Sequence, residues 1–228
     1  MRALLALTLL AALQAGGGEA AEMTDRLHWL GHDTFRLDGP PVVYIDPYHL
    51  PKGAPPADLV LITHEHGDHC SPADVALIRG EKTVILAPRA AAAKLPAPIE
   101  VIAPGEERLV AGIKVRAVPA YNTNKSYHPK PAGMVGYVFS LGGVSYYHAG
   151  DTDNIPEMAR LAPDVALLPV SGTYVMTAEE AAEAARAIKP KVAIPMHYGA
   201  IIGSLADARR FAELLAGSGI TVVIKERE

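Results

Sequence analysis

Cysteine is almost absent. The 228-residue chain holds one, Cys70, so it can close no internal disulfide and build no zinc framework of four cysteines or of paired cysteines and histidines. Neither sign of charge dominates: 21 Lys and Arg stand against 25 Asp and Glu, a net charge of −4. With no Lys/Arg block, that balance argues against a dedicated nucleic-acid binder, although a nucleic-acid substrate stays open. No apolar stretch is long enough for a transmembrane anchor, which takes about 20 residues. Half of the residues are hydrophobic and 20% are charged, a composition foreign to disordered and collagen-like chains. The length fits one domain, or at most two, with a sizeable core. Against these shortages stand nine histidines. A metal held by this chain is held by imidazole and carboxylate.

The chain starts with an address. Arg2 is followed by Ala3–Leu13, apolar apart from Thr8, and Gly18-Glu19-Ala20 offers small residues on either side of Glu19. This reads as a secretory signal peptide over residues 1–20, cut after Ala20. The expectation is an exported protein, secreted or periplasmic, whose mature part is one domain over 21–228. Short strand signals follow at Leu27–Gly31, Thr34–Leu37, Val42–Asp46 and the continuous apolar run Leu59–Thr63. Further strands are expected at Thr83–Leu86, Ile99–Ile102, Arg108–Val110, Ile113–Val118, Val135–Leu141 and Val144–Tyr147, the last two joined at Gly142-Gly143. Helices are expected after Ser71-Pro72, over Thr177–Ile188 with a capping box from Thr177 to Glu180, and over Ser204–Ala216. Strands at Val165–Val170, Val192–Pro195 and Ile220–Ile224 give the last third a βαβαβ rhythm.

The densest chemistry is His64-Glu65-His66-Gly67-Asp68-His69, directly after the Leu59–Thr63 run. Neither a regular helix nor a regular strand would turn these side chains to one point, but a loop at a strand end can, and Gly67 permits a sharp one. Two other strands end the same way, in His148-Ala149-Gly150-Asp151 and in Met196-His197. Ligands bind at the carboxyl ends of strands in open α/β sheets, so these three ends can converge on one site.

His-x-His-x-Asp-His at 64–69, Gly150-Asp151-Thr152 and His197, in that order, resemble the metallo-β-lactamase-fold hydrolase superfamily. The opening His28-Trp29-Leu30-Gly31-His32, the Asp46-Pro47 turn and Ile194-Pro195-Met196-His197-Tyr198 are similar to the branch of zinc-dependent hydrolases related to ascorbate-phosphate lactonase and, more distantly, to N-acyl-phosphatidylethanolamine phospholipase D. The resemblance implies an α/β (α+β) fold, a four-layer αββα sandwich with metals at the upper edge of its two sheets. It implies two divalent ions, zinc first, with manganese or iron as alternatives. His64 and His66 would hold the first ion, Asp68, His69 and His197 the second, and Asp151 would bridge them. A hydroxide between the ions would be the nucleophile, guided by Asp68 as the catalytic carboxylate.

The sequence departs from that pattern at one place. The strand Ile113–Val118 runs into Pro119-Ala120-Tyr121-Asn122, so Asn122 occupies the position of a further expected histidine. Either His128 swings in from the same loop, or Asn122 ligates through its carbonyl, or the first ion has only three protein ligands. Weaker nitrogen ligation would tilt preference toward manganese or another hard ion. His32, Lys125 and Tyr174 are candidates for contacting substrate, Lys125 as a grip on an anion. The expected activity is metal-dependent hydrolysis of an ester, lactone, amide or phosphodiester in a small-molecule or lipid-like substrate. The alternative is a metal-binding or sensing module without turnover, motivated by the missing histidine.

Overall fold

The computed structural model describes residues 18–228. All but the last three residues of the expected signal peptide lie outside them. Residues 18–24 form a helix, α1, whose Ala20 and Met23 are buried against the main core.

Two sheets follow in chain order. The first contains β1 (Leu27–Gly31), β2 (Thr34–Leu37), β3 (Val43–Ile45), β4 (Ala57–Leu61), β5 (Arg79–Ala87) and β6 (Glu100–Val101), each beside the next. Pairing is antiparallel from β1 to β3 and parallel from β3 to β6. The second contains β7 (Glu107–Val110), β8 (Ile113–Pro119), β9 (Val135–Leu141), β10 (Val144–His148), β11 (Val165–Pro169), β12 (Val192–Met196) and β13 (Thr221–Val222). It is antiparallel as far as β10 and parallel beyond. The change to parallel pairing follows the insertion of crossover segments, two of which carry the helices α4 (Ala178–Ile188) and α5 (Leu205–Leu214).

Strand alternation builds the layers. Val43, Ile45, Leu59 and Leu61 face the second sheet and join its Val115, Ala117, Tyr137 and Phe139 in one core. Their neighbours Tyr44, Val60 and Ile62 face the other way, onto α2 (Pro72–Ile78) and α3 (Arg89–Ala92). Strands buried on both faces read as unbroken apolar runs, which is why Leu59–Ile62 shows no alternation. On the far side, α4 turns Ala178, Ala181, Ala182, Ala185 and Ile188 onto the second sheet. The order is therefore αββα. Tyr137 ties the two sheets, donating from its hydroxyl to Ile62 O at 2.8 Å.

Several boundaries differ from the sequence reading. β4 ends at Leu61, not Thr63. The Thr63 N–H leaves the ladder because Asp46 Oδ1 accepts it at 2.7 Å. β5 begins at Arg79 directly after α2, four residues earlier than expected. Ser204 caps α5 instead of belonging to it, and the helix stops at Leu214. Among the described residues no helix is long and apolar enough to cross a membrane.

Candidate metal centre

Four strand ends of the two sheets meet above the shared core. β4 supplies His64, His66, Asp68 and His69; β8 leads to Asn122 and His128; β10 leads to Asp151; β12 leads to His197. The Asp151 turn is held low by two glycines. A Cβ on Gly136 would lie 2.5 Å from His148 O, and one on Gly150 (φ 63°) would lie 2.9 Å from Val135 O. Only residues without side chains let β9 and the turn approach this closely. Three non-glycine residues of the cluster, His32 (φ 52°), Asp46 (φ 45°) and His197 (φ 61°), adopt left-handed backbone. Such strain concentrates at functional sites, where the surrounding structure imposes it; here His197 N–H donates to His32 O at 3.1 Å.

Three ring nitrogens converge first. His66 Nδ1 is 3.0 Å from His64 Nε2 and 3.3 Å from His128 Nε2. Ligands on a tetrahedral zinc with bonds of about 2.0–2.1 Å stand roughly 3.3 Å apart, so this triad has the spacing of an ion's coordination shell. Beside it, His69 Nε2 lies 3.4 Å from Asp151 Oδ1 and 3.6 Å from Asp68 Oδ2. His197 Nε2 and His128 Nε2 each lie 3.2 Å from Asp151 Oδ2. Asp151 thus stands between the two groups. His69 Nε2 and Asp151 Oδ1 are buried without a hydrogen-bond partner, a costly state for polar atoms unless a cation faces them. The donor set fits metal ions.

The opposite ring nitrogens explain the aim. His69 Nδ1–H donates to Asp46 Oδ2 at 2.9 Å. Thr63 Oγ1 donates to the same carboxylate at 2.6 Å, which leaves its lone pair for His64 Nδ1–H at 3.0 Å. Ser171 Oγ stands 2.8 Å from His197 Nδ1. Asn122 Oδ1 accepts from His128 N–H at 2.9 Å and faces its Nδ1 at 3.2 Å. In these four histidines Nδ1 is engaged, so Nε2 turns inward, the arrangement that fixes tautomer and orientation in metal sites.

Electrostatics follow from crowding. Burial and the neighbouring His69 hold the His64 imidazole well below its usual pKa. His69 goes the other way: burial opposes its charge, but Asp151, Asp46 and Asp33 raise it well above the ordinary value. His197 is raised to about 8, with Asp151 and Asp33 outweighing burial. Burial would raise Asp68, yet the hydrogen bond with His32 and the nearby His69 bring it down to about 2. Asp151, despite burial, lies well below the usual carboxylate range because His197 and His69 surround it.

The six residues His64, His66, Asp68, His69, Asp151 and His197 therefore lie together, and of the three options for the departure the structure brings His128 inward. Asn122 points away from the centre: its amide N–H donates to Asp153 Oδ1 at 3.1 Å and to Tyr174 O at 2.9 Å. Lys125 is a correction. Its ammonium sits 2.6 Å from Asp153 Oδ1 and 3.0 Å from Asn124 Oδ1, and it does not line the cleft over the cluster. Asp153 draws it in because that buried carboxylate needs a counter-charge. Nor does His32 reach the cleft; it is buried, with Nε2 3.0 Å from Asp68 Oδ2. Tyr174 does line the cleft, together with Tyr48, Tyr127 and Ile201. The cleft has a volume of about 500 Å³ and its floor includes His66, Asp68 and His197. Sequence reasoning missed the supporting roles of Asp46, Ser171 and Asp153. The first two lie just past the ends of β3 and β11, so the strand-end rule that found His64 would have found them.

A β-lactamase superfamily domain profile matches residues 26–197. The chain belongs to the metallo-β-lactamase superfamily. A UPF0173 metal-dependent hydrolase of Thermoplasma acidophilum is 36% identical over 218 residues, covering 89% of this chain and 96% of that protein. A similar protein of Methanoculleus marisnigri is 38% identical over 202 residues, covering 82% and 88%. Among solved structures, a candidate metal-dependent hydrolase of Parabacteroides distasonis superposes with a TM-score of 0.81 at 35% identity, covering 89% and 93% of the two chains. The chain is a metal-dependent hydrolase of this fold, and its two sheets with few helices match the solved relative.

Proposed function

We propose that the chain holds two divalent ions, zinc in at least one position, and hydrolyses an uncharged ester, lactone or amide. The observation that carries this reading is Asp151, which lines the cleft and stands within 3.2–3.4 Å of His128 on one side and of His69 and His197 on the other. Ions bound there would acidify a water and polarise the scissile group. The chain's own residues supply the rest. Asp68, 24% exposed and anionic down to a pH of about 2, offers a carboxylate oxygen at the cleft floor to orient a nucleophilic water and accept its proton. His32 holds that carboxylate in place. Tyr48, Tyr127, Tyr174 and Ile201 wall the cleft and would exclude water from an apolar leaving group.

The choice of an uncharged substrate over a phosphodiester has a specific support. Among the described residues lining the cleft there is no Lys or Arg, and Lys125, the cation of the adjoining loop, is consumed by Asp153. The alternative of a binding module without turnover loses its motive, because His128 stands where a third imidazole is wanted.

The test is hydrolysis of 4-nitrophenyl acetate, an aryl lactone and bis(4-nitrophenyl) phosphate by zinc- or manganese-loaded protein, before and after chelation. The expected outcome is metal-dependent turnover of the ester or lactone, lowered about 100-fold or more in kcat by Asp68→Asn, with the diester the poorest substrate. Loaded protein that turns over none of the three, or keeps its rates in Asp68→Asn, would count against the proposal.

A further inference from the structure

One buried carboxylate beside the cluster has no partner. Asp33 lies in the turn between β1 and β2, fully buried, and neither of its oxygens makes a hydrogen bond. Oδ2 is 3.8 Å from His69 Nδ1, but that N–H is already taken by Asp46. Asp46 is itself saturated, accepting from Thr63 N–H, Thr63 Oγ1 and His69. His148, on the same side, is closed as well: Nε2–H donates to Asp33 O at 3.0 Å and Nδ1 accepts from Gly150 N–H at 3.2 Å. The donors of Thr63, His148 and His69 Nδ1 are therefore all engaged elsewhere. What remains is the metal cluster, since one oxygen of Asp33 and one donor atom each of His69, Asp151 and His197 lie within 4.8 Å of one another. A buried carboxylate without hydrogen bonds is tolerated where it faces a cation.

We propose that Asp33 is a further carboxylate of the second ion's site, and that it makes this site one for a hard divalent ion such as Mn²⁺, beside a zinc site formed by His64, His66 and His128. The inference rests on the metal-dependent reading above. Two physical arguments separate the positions. The first has three imidazoles, with Asp151 as the shared carboxylate, a donor count and type that suit tetrahedral zinc. The second has the carboxylates of Asp33 and Asp151 grouped with the imidazoles of His69 and His197, and Asp68 Oδ2 lies beside them, 3.6 Å from His69 Nε2; a site richer in carboxylate oxygen suits a harder ion.

The experiment compares the full chain with Asp33→Asn, both stripped by chelator and given one equivalent of Zn²⁺. Mn²⁺ is then titrated in by calorimetry, and bound Mn²⁺ is counted by electron paramagnetic resonance. The unsubstituted chain is expected to take up one Mn²⁺ per chain, and Asp33→Asn to lose at least about tenfold in Mn²⁺ affinity while retaining its zinc. Thermal melts of the metal-free proteins check that the variant folds; Asp33→Ser, which is smaller and cannot clash, replaces it if it does not. Mn²⁺ affinity within about twofold of the unsubstituted chain, or no uptake of Mn²⁺ by the zinc-loaded unsubstituted chain, would overturn the proposal. Since the readout is metal binding, failure of the loaded protein to hydrolyse the ester panel would strike the hydrolase reading and leave this one standing.

Discussion

Asn122 and His128 divide between them a task usually given to one residue. His128 presents a nitrogen to the cluster, and Asn122 holds His128 by two contacts from its amide oxygen while its own amide N–H groups are anchored on Asp153 and on Tyr174 O. Asp153 therefore lies two steps from the metal centre and also neutralises Lys125. Hydrogen bonds from Lys125 and from the Thr123 and Asn124 backbone outweigh its burial and hold its pKa below the ordinary carboxylate value. The sign follows: a carboxyl depressed in the folded state stabilises the protein above its unfolded pKa of about 3.9, and that stability is lost as pH falls through the lower folded value. Asp153→Asn should lose about 1.5–3 kcal/mol at neutral pH, because the half-buried Lys125 loses its 2.6 Å carboxylate partner and keeps only Asn124 Oδ1 and the more distant Glu180. It should flatten the loss of stability below about pH 4, and it should weaken metal binding roughly tenfold or more by releasing Asn122. Urea denaturation at pH 7 and pH 3, with zinc affinity measured beside it, checks both effects.

The elements that carry the site are ordinary in themselves; their ends are not. β4, β10 and β12 are apolar strands that stop at metal-type side chains, and each stop has a cause. Thr63 is pulled out of the ladder by Asp46, the Gly150 turn packs under Val135 O, and His197 takes a left-handed backbone while bonding to His32 O. The two sheets must also keep their upper edges in register, or the strand ends would not meet. Tyr137 contributes to this from the core, reaching from β9 to Ile62 O at the exit of β4. Its phenol is pushed well above its ordinary pKa by burial, so it stays a donor at any working pH. Tyr137→Phe should cost about 1–2 kcal/mol by losing a buried hydrogen bond without opening a cavity. A lower urea midpoint at an unchanged slope would show it; an unaltered midpoint would mean that apolar packing alone aligns the sheets.

For the molecule as a whole, the cluster is built to receive cations. Imidazole nitrogens crowd within about the distance of a hydrogen bond, and buried carboxylate oxygens face no donor. Ions that bind the folded chain and not the unfolded one add stability by mass action, about 2.7 kcal/mol per site at a hundredfold excess over Kd. In a domain of about 200 residues each kcal/mol is worth roughly 2–4 °C. Loaded protein should therefore melt about 5–10 °C above chelated protein for each ion bound, with recovery on adding zinc or manganese. Melting points that coincide with and without chelator would mean that the cluster holds no ion in the folded state.

Much of this was legible in the residues. The apolar runs announced the strands, Thr177 and Glu180 announced the start of α4, and His64, His66, Asp68, His69, Asp151 and His197 stood at strand ends, where a single residue's position in the chain fixes its position in the fold. Periodicity and spacing are local, so a sequence displays them directly. Folding back of the chain is not local. Only the tertiary structure showed that the loop after β8 returns to place His128 inside and Asn122 behind it, that Asp153 claims Lys125, and that His32 turns from the cleft to brace Asp68. Asp33 is the plainest case. In the sequence it is one more polar residue in a turn, and its significance comes from being fully buried with neither carboxylate oxygen hydrogen-bonded, a fact about packing that no residue carries alone.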